Sequence, residues 1–337
     1  MNLPSYFDKL LEEIEPSPSY KDDQRSGHQT LRRRLAEDDK FGPIHVNTFL
    51  QGSYKRCTAI HPGKDVDVVV VTSLDPSPGK TKAAEANALL GAFLERHYKG
   101  KYKPQSRSYG ITLSYVTLDV VLATSTELQN KKLLADVRVR SELEDPGAWL
   151  ESPLWIPDRD LKRWVETDPK RQLEWTTARN AASGGFFVPL VKMFKWWRKV
   201  TYETPKYPKG YLLERIAGEC CDVGKRDHAE GFVALLENIV AKYGNYPAMG
   251  IVPFLPDAGV RDHNVLGRLT LEDFATFMDK VTAALMTARA ALAEKDKEKS
   301  VELWRQLFKG AFPQAQGASK ASFPAVPVRP NKPAGFA

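Results

Sequence analysis

Three aspartates stand where a carboxylate is costly. Asp65 and Asp67 flank Val66 at the head of the apolar run Val66–Thr72, and Asp119 sits between Leu118 and Val120 in a second apolar run. Side chains alternate along a strand, so Asp65 and Asp67 point the same way. A carboxylate in such a strand must be paired, hydrogen-bonded or metal-bound. Three of them converging from adjacent strands would repel one another, and divalent cations relieve that repulsion. Hard oxygen ligands suit two Mg2+ ions, with Mn2+ as a substitute. Ahead of them lies Gln51-Gly52-Ser53-Tyr54. Its Gly-Ser pair offers a backbone that approaches a phosphate closely, free N–H donors and a hydroxyl. Together these parts describe two-metal phosphoryl transfer. One ion holds the triphosphate of an incoming nucleotide, and the other lowers the pKa of an attacking hydroxyl, with Asp119 placed to help as base. Pyrophosphate leaves. An isolated Asp-x-Asp is most often a surface feature and an isolated Gly-Ser an ordinary turn. Their conjunction, with the third strand aspartate about fifty residues on, carries the assignment.

The elements that must position these residues follow from the hydrophobic pattern. Residues 5–15 read as a short helix, stopped by Pro16-Ser17-Pro18, and 19–40 as a longer one capped by Ser19. Val46–Leu50, Val66–Thr72, Ser106–Leu113 and Val116–Ala123 read as strands, with a helix over 80–98. Residues 124–168 read as irregular. Beyond Asp168 the pattern is helical, with candidates at 169–182, 186–200, 208–222, 227–243, 270–294 and 297–310 and a Pro-rich loop over 246–262. The expected division is a core with N-terminal helices over 1–165, a helical domain over 166–312 and a flexible tail over 313–337.

Composition narrows the class. The 337 residues are 42% hydrophobic and 27% charged, which excludes collagen, a disulfide scaffold and wholesale disorder. The net charge of +7 favours a polyanionic partner without saying which. Three cysteines and six histidines show neither disulfide nor zinc spacing. Neither a signal peptide nor an 18-residue apolar window is present, so a cytoplasmic location without membrane attachment is expected.

The motifs carry a specific resemblance. Gln51-Gly52-Ser53-Tyr54, Thr58-Ala59-Ile60 and Asp65-Val66-Asp67 resemble the nucleotidyltransferase signature of the DNA polymerase β superfamily. In detail they resemble the bacterial cGAS/DncV-like nucleotidyltransferases (CD-NTases), the cyclases of anti-phage signalling. Ile156-Pro157-Asp158, Trp164, Asp168-Pro169 and Asn180 resemble the segment those enzymes carry between core and helical domain. The resemblance implies an α+β fold, a polymerase-β-like core with a mixed sheet plus a C-terminal helical domain similar to that of OAS and cGAS. It implies a bacterial synthase of cyclic di- or trinucleotides from NTPs, ATP among them. Lys195 matches a lysine that reaches the donor triphosphate, and Gly210 stands where relatives often carry a Ser. Pro256-Asp257 and Asn264 resemble a loop of the wider family, with Ala258 in place of its usual proline. Lys209 and Tyr211 join the nucleotide-binding candidates, Tyr211 as a stacking surface for a base.

Other features divide between roles. Trp196 and Trp197 cannot share a helix face, so one belongs in a core. Arg32-Arg33-Arg34 is offset by Glu37-Asp38-Asp39 and reads as a charged helix face, and no nucleic-acid activator is expected. The end, Lys332–Ala337, resembles tails that an operon-encoded ubiquitin-transfer-like enzyme conjugates to targets, which implies Ala337 as the site of attachment. A template-independent terminal nucleotidyltransferase acting on RNA, of the tailing or CCA-adding type, shares the same aspartate trio but needs a broader basic surface. A protein-modifying relative transferring AMP to a hydroxyl is a third class.

Overall fold

The computed structural model describes residues 1–63, 66–129, 153–202 and 208–315. Asp65, Ala337 and the proposed tail from residue 316 onward lie outside the described residues. The chain opens with α1 (Pro4–Ile14) and α2 (Pro18–Glu37). β1 (His45–Gln51) runs into one helical turn, α3 (Gly52–Lys55), and β2 (Val66–Thr72) follows. α4 (Ala83–His97) leads to β3 (Tyr102–Pro104), β4 (Tyr109–Thr112) and β5 (Thr117–Thr124). A hairpin of β6 (Leu154–Asp158) and β7 (Arg163–Thr167) precedes the helices α5 (Pro169–Ala182), α6 (Phe187–Thr201) and α7 (Gly210–Cys220). The remaining helices are α8 (His228–Tyr243), α9 (Leu271–Ala293) and α10 (Lys297–Phe308).

The described strands form a mixed sheet in the order β1-β2-β5-β4-β3, with β6 on the end of β5 and β7 beside β6. β2 and β5 are parallel, and the other pairs are antiparallel. The β-branched run of β2 suits a central strand covered on both faces. One face presents Val66, Val68, Val70, Leu118, Val120 and Leu122 to the apolar stripes of α2 and α4, where Leu31, Leu35, Leu90 and Phe93 are buried. The opposite face carries Val69, Val71 and Ala123, closed by Val46, Phe49, Leu154 and Val165. Strand periodicity places Asp67 and Asp119 on this second face.

The helices gather around a separate core of Phe194, Trp197, Phe232, Phe274, Phe277 and Trp304. α1 joins this core and not the sheet: Phe7 is fully buried, its ring 4.9 Å from Trp304 and 5.2 Å from Phe312. Among the described residues no helix is long and apolar enough to cross a membrane.

Two local expectations need correction, and one strand was not anticipated. The cap of α2 is Ser17 and not Ser19: its Oγ accepts from the Tyr20 N–H at 3.2 Å, and Pro18 takes the first helical position, where a missing N–H is harmless. The stretch over 124–168 is not irregular throughout, since β6 and β7 pair from Leu154–Thr167 to Asp158–Arg163. Pro157 and the charged residues around the turn masked the alternation there. The edge strand β3, only three residues long, has too little pattern to read.

Both tryptophans pack. Trp197 is buried and stacks on Phe194 at 5.4 Å, while Trp196 donates Nε1–H to the Phe308 carbonyl at 3.0 Å. The arginines of α2 brace the unit: Arg32 bonds the Thr48 carbonyl, and Arg34 bonds the His97 carbonyl at 3.2 Å.

Candidate active site

One row of the sheet carries the site. Gln51 on β1 is opposite Asp67 on β2, Asp67 is opposite Asp119 on β5, and Asp119 is opposite Gly110 on β4. Adjacent strands lie about 4.8 Å apart, and residues of one row share a face. Asp67 and Asp119 therefore stand side by side, both half-buried. The next row inward on β2, at Val69, is only 1% exposed. The aspartates thus lie where the apolar cover ends and open space begins.

That space is a cavity of about 590 Å³ between the sheet and helices α6 and α7. Its lining brings together Gln51, Gly52, Ser53, Asp67, Asp119, Lys195 and Tyr211, seven of the residues expected from the sequence. Tyr54 is half-exposed in α3 and is not among the lining residues. Lys209 lines a neighbouring cavity of about 520 Å³, which Tyr211 also borders.

The Gly-Ser turn is fitted to the aspartate. Gly52 has φ +73°, a conformation an L side chain rarely adopts, and it ends β1 directly beside Asp67. On the other side, Asp119 Oδ1 accepts a hydrogen bond from Gln105 Nε2 at 2.9 Å. Two adjacent carboxylates on one face are a hard-oxygen donor set that suits Mg2+ or Mn2+. Among the described residues no group of three or more His, Cys, Asp or Glu gathers. Asp65 is outside those residues.

The far wall of the cavity is built on a buried carboxylate. Glu214 in α7 is 1% exposed. It accepts from Arg56 Nε at 2.8 Å and Thr58 Oγ1 at 2.8 Å, and it pairs with Lys195 Nζ. Lys195 also donates to the Thr58 carbonyl at 2.9 Å. Burial alone would raise the Glu214 carboxyl, but Lys195 and then Arg56 outweigh it and hold the group down at about 2. Arg56 in turn lies 5.0 Å from the centroid of the Tyr211 ring. Burial, followed by the nearby Asp257 carboxylate, pushes the Tyr211 hydroxyl far above the ordinary phenol range, so it stays neutral. Gly210 opens α7 facing Lys195; a Cβ there would lie 3.6 Å from Lys195 Cε.

Glu214, Arg56 and Gln105 were not picked out from the sequence, whereas Thr58 belongs to the Thr58-Ala59-Ile60 motif. Glu214 sits in the apolar stretch Leu212-Leu213-Glu214-Arg215-Ile216-Ala217, and an acid embedded there was the available signal. The segments joining core to helices hold structure together. Asp168 caps α5 through the Arg171 N–H at 2.9 Å, and Asn180 Oδ1 accepts from the Val188 N–H at 3.0 Å. Asp158 is buried. Burial would raise its carboxyl, but the Leu161 N–H and Arg107 hold it below the usual range. Asn264 Oδ1 accepts from the Leu255 and Leu266 N–H groups, fixing the loop that carries Asp257.

Residues 1–133 match the family described as Second Messenger Oligonucleotide or Dinucleotide Synthetase domain. The cyclic AMP-AMP-GMP synthase of Enterobacter hormaechei subsp. hoffmannii (strain UCI 50) is 36% identical, covering 100% of each chain. The cyclic AMP-AMP-AMP synthase of Acinetobacter sp. (strain ATCC 27244 / 9458) is 35% identical over 100% of this chain and 98% of its own. Among solved structures, E. coli MS115-1 CdnC with ATP superposes with a TM-score of 0.68 over 92% of this chain and 98% of its own, at 20% identity, which supports the fold. The expected α+β architecture with a polymerase-β-like core and a helical C-terminal region is borne out. The chain belongs to the bacterial CD-NTases, nucleotidyltransferases that synthesise cyclic oligonucleotide second messengers.

Proposed function

We propose that the cavity joins three ribonucleoside triphosphates, at least two of them ATP, into a cyclic trinucleotide that serves anti-phage signalling. The observation that carries the chemistry is the side-by-side placement of Asp67 and Asp119 in a cleft bounded by a glycine turn and by Lys195. The product class is supported by full-length relatives named for cyclic AMP-AMP-GMP and cyclic AMP-AMP-AMP synthesis.

Asp67 and Asp119, with Asp65 one residue removed from Asp67 in sequence, would hold two divalent ions. When bound, these ions neutralise the triphosphate and favour ionisation of the attacking hydroxyl. The chain's own residues do the rest. The backbone N–H groups and hydroxyl of Gly52-Ser53 cradle the phosphates, and Lys195 balances their charge. Tyr211, kept neutral, offers an aromatic face to a base. A ribose hydroxyl attacks the α-phosphate of the donor; its proton passes to the Asp119 carboxylate. The new O–P bond forms as the bond to pyrophosphate breaks. Repetition extends the chain, and a final attack by its terminal hydroxyl closes the ring. Positioning and charge compensation account for most of such a rate.

The test is product analysis. Purified protein is incubated with all four NTPs and Mg2+ or Mn2+, digested with phosphatase and analysed by mass spectrometry. A phosphatase-resistant cyclic trinucleotide containing adenylate, formed without primer, is expected. Nucleotide incorporation only when RNA is added would instead identify a tailing enzyme.

A further inference from the structure

We infer that Gln105 is a positioning residue for Asp119, fixing the direction of its carboxylate toward the divalent ions. This inference rests on the proposal that Asp119 helps to hold those ions. Gln105 belongs to the turn between β3 and β4, and its Nε2 donates to Asp119 Oδ1 at 2.9 Å. An ionised carboxylate only accepts, so it must face the amide nitrogen. The amide is turned that way by a second contact: its Oε1 accepts from Ser108 Oγ at 3.1 Å.

The turn is itself clamped. The Gln105 N–H donates to the Ser108 carbonyl at 2.9 Å, and Arg159, from the β6–β7 hairpin, bonds the carbonyls of both Gln105 and Ser108. The Arg159 guanidinium also lies over the Tyr109 ring at 4.1 Å. An independent feature points to the same contact. Gly110 is opposite Asp119 in the sheet, and a Cβ at Gly110 would lie 2.9 Å from Gln105 Nε2 and 3.6 Å from Asp119 Oδ1. The bare glycine leaves the gap across which the amide reaches the carboxylate. A group that orients a metal-binding carboxylate influences metal affinity by about 10- to 100-fold.

The test uses the full chain carrying Gln105→Leu, an exposed position whose change removes the donor without touching the core. Mn2+ binding is measured by electron paramagnetic resonance in the presence of a non-hydrolysable ATP analogue, alongside steady-state kinetics. Expected for Gln105→Leu is Mn2+ affinity about 10-fold weaker. With it, kcat should fall, KM for ATP should stay within about twofold, and Tm should be unchanged. Gly110→Ala, which pushes the amide away, should give the same loss, and the double variant should be no worse than either single one. Wild-type or tighter Mn2+ binding in Gln105→Leu overturns the inference. Asp119→Asn separates the levels. If it abolishes cyclic product while Gln105→Leu behaves as wild type, only the positioning role is lost. If it retains product, the underlying assignment of Asp119 fails.

Discussion

A methyl group on Gly52 would sit 1.7 Å from Asp67 Oδ2. No atom can occupy that position, so the glycine turn and the aspartate are mutually fitted. Gly52→Ala must either unwind the φ +73° turn or displace the carboxylate. The backbone strain costs roughly 1–2 kcal/mol. Expected is a modest fall in Tm but a loss of product synthesis of about 100-fold or more, because even a 1 Å displacement at a reacting centre has effects of that order. Parallel thermal melts and turnover assays check this. Activity near wild type would show that Asp67 need not lie where it does.

Glu214 holds Arg56, Thr58 and Lys195 with almost no exposure to water. Removing it strands two buried cations, a change that costs about 3–5 kcal/mol. Glu214→Ala should therefore unfold at clearly lower urea concentration. Glu214→Gln keeps the shape and some hydrogen bonds and should lose less.

The same carboxylate makes stability depend on pH. Its folded pKa is about 2, below the ordinary 4.5, so its contribution is present in full above 4.5 and is lost as pH falls toward 2. Asp38 adds in the same direction, held low first by Arg96 and then by His97. Urea unfolding at pH 7, 4 and 3 should show stability dropping below about pH 4.5, by up to about 1.4 kcal/mol per pH unit for each such group. In Glu214→Gln that slope should flatten.

Lys195 provides a test of the triphosphate wall. Lys195→Met keeps most of the length of the side chain and removes its charge. Expected is a KM for ATP raised about tenfold or more with a smaller change in kcat, the pattern of a lost binding contact. An unchanged KM would confine Lys195 to its structural pairing with Glu214. Glu214→Gln made together with Lys195→Met should be less stable than Lys195→Met alone, since Arg56 is then left buried without its carboxylate.

Much of this site could be read from the chain because strands impose a period of two. Asp67 and Asp119 each interrupt an apolar run, which marks them in the sequence, and the sheet register sets them opposite each other. The helices α5 and α8, expected over 169–182 and 227–243, run Pro169–Ala182 and His228–Tyr243, each capped by the aspartate before it. What escaped depends on contacts distant in sequence. Arg56 meets Glu214 across 158 residues, and no local pattern encodes that pairing. Gln105 is a polar residue in a turn until the sheet register brings Asp119 within 2.9 Å. Likewise α1 is amphipathic in isolation, and only the rings of Trp304 and Phe312 decide that Phe7 packs with the helices and not against the sheet.

Asp67→Asn and Asp119→Asn replace a charged oxygen by a neutral amide at nearly constant volume. Each purified variant, with its far-ultraviolet circular dichroism and Tm compared with wild type, is given radiolabelled ATP, unlabelled NTPs and Mn2+, and released pyrophosphate is followed with cyclic product. Folded proteins with pyrophosphate release and cyclisation lost together by a factor of about a thousand or more are expected, as for removal of groups that act only in the transition state. Folded variants that keep releasing pyrophosphate and forming rings would contradict the central claim that these two neighbouring carboxylates perform the chemistry.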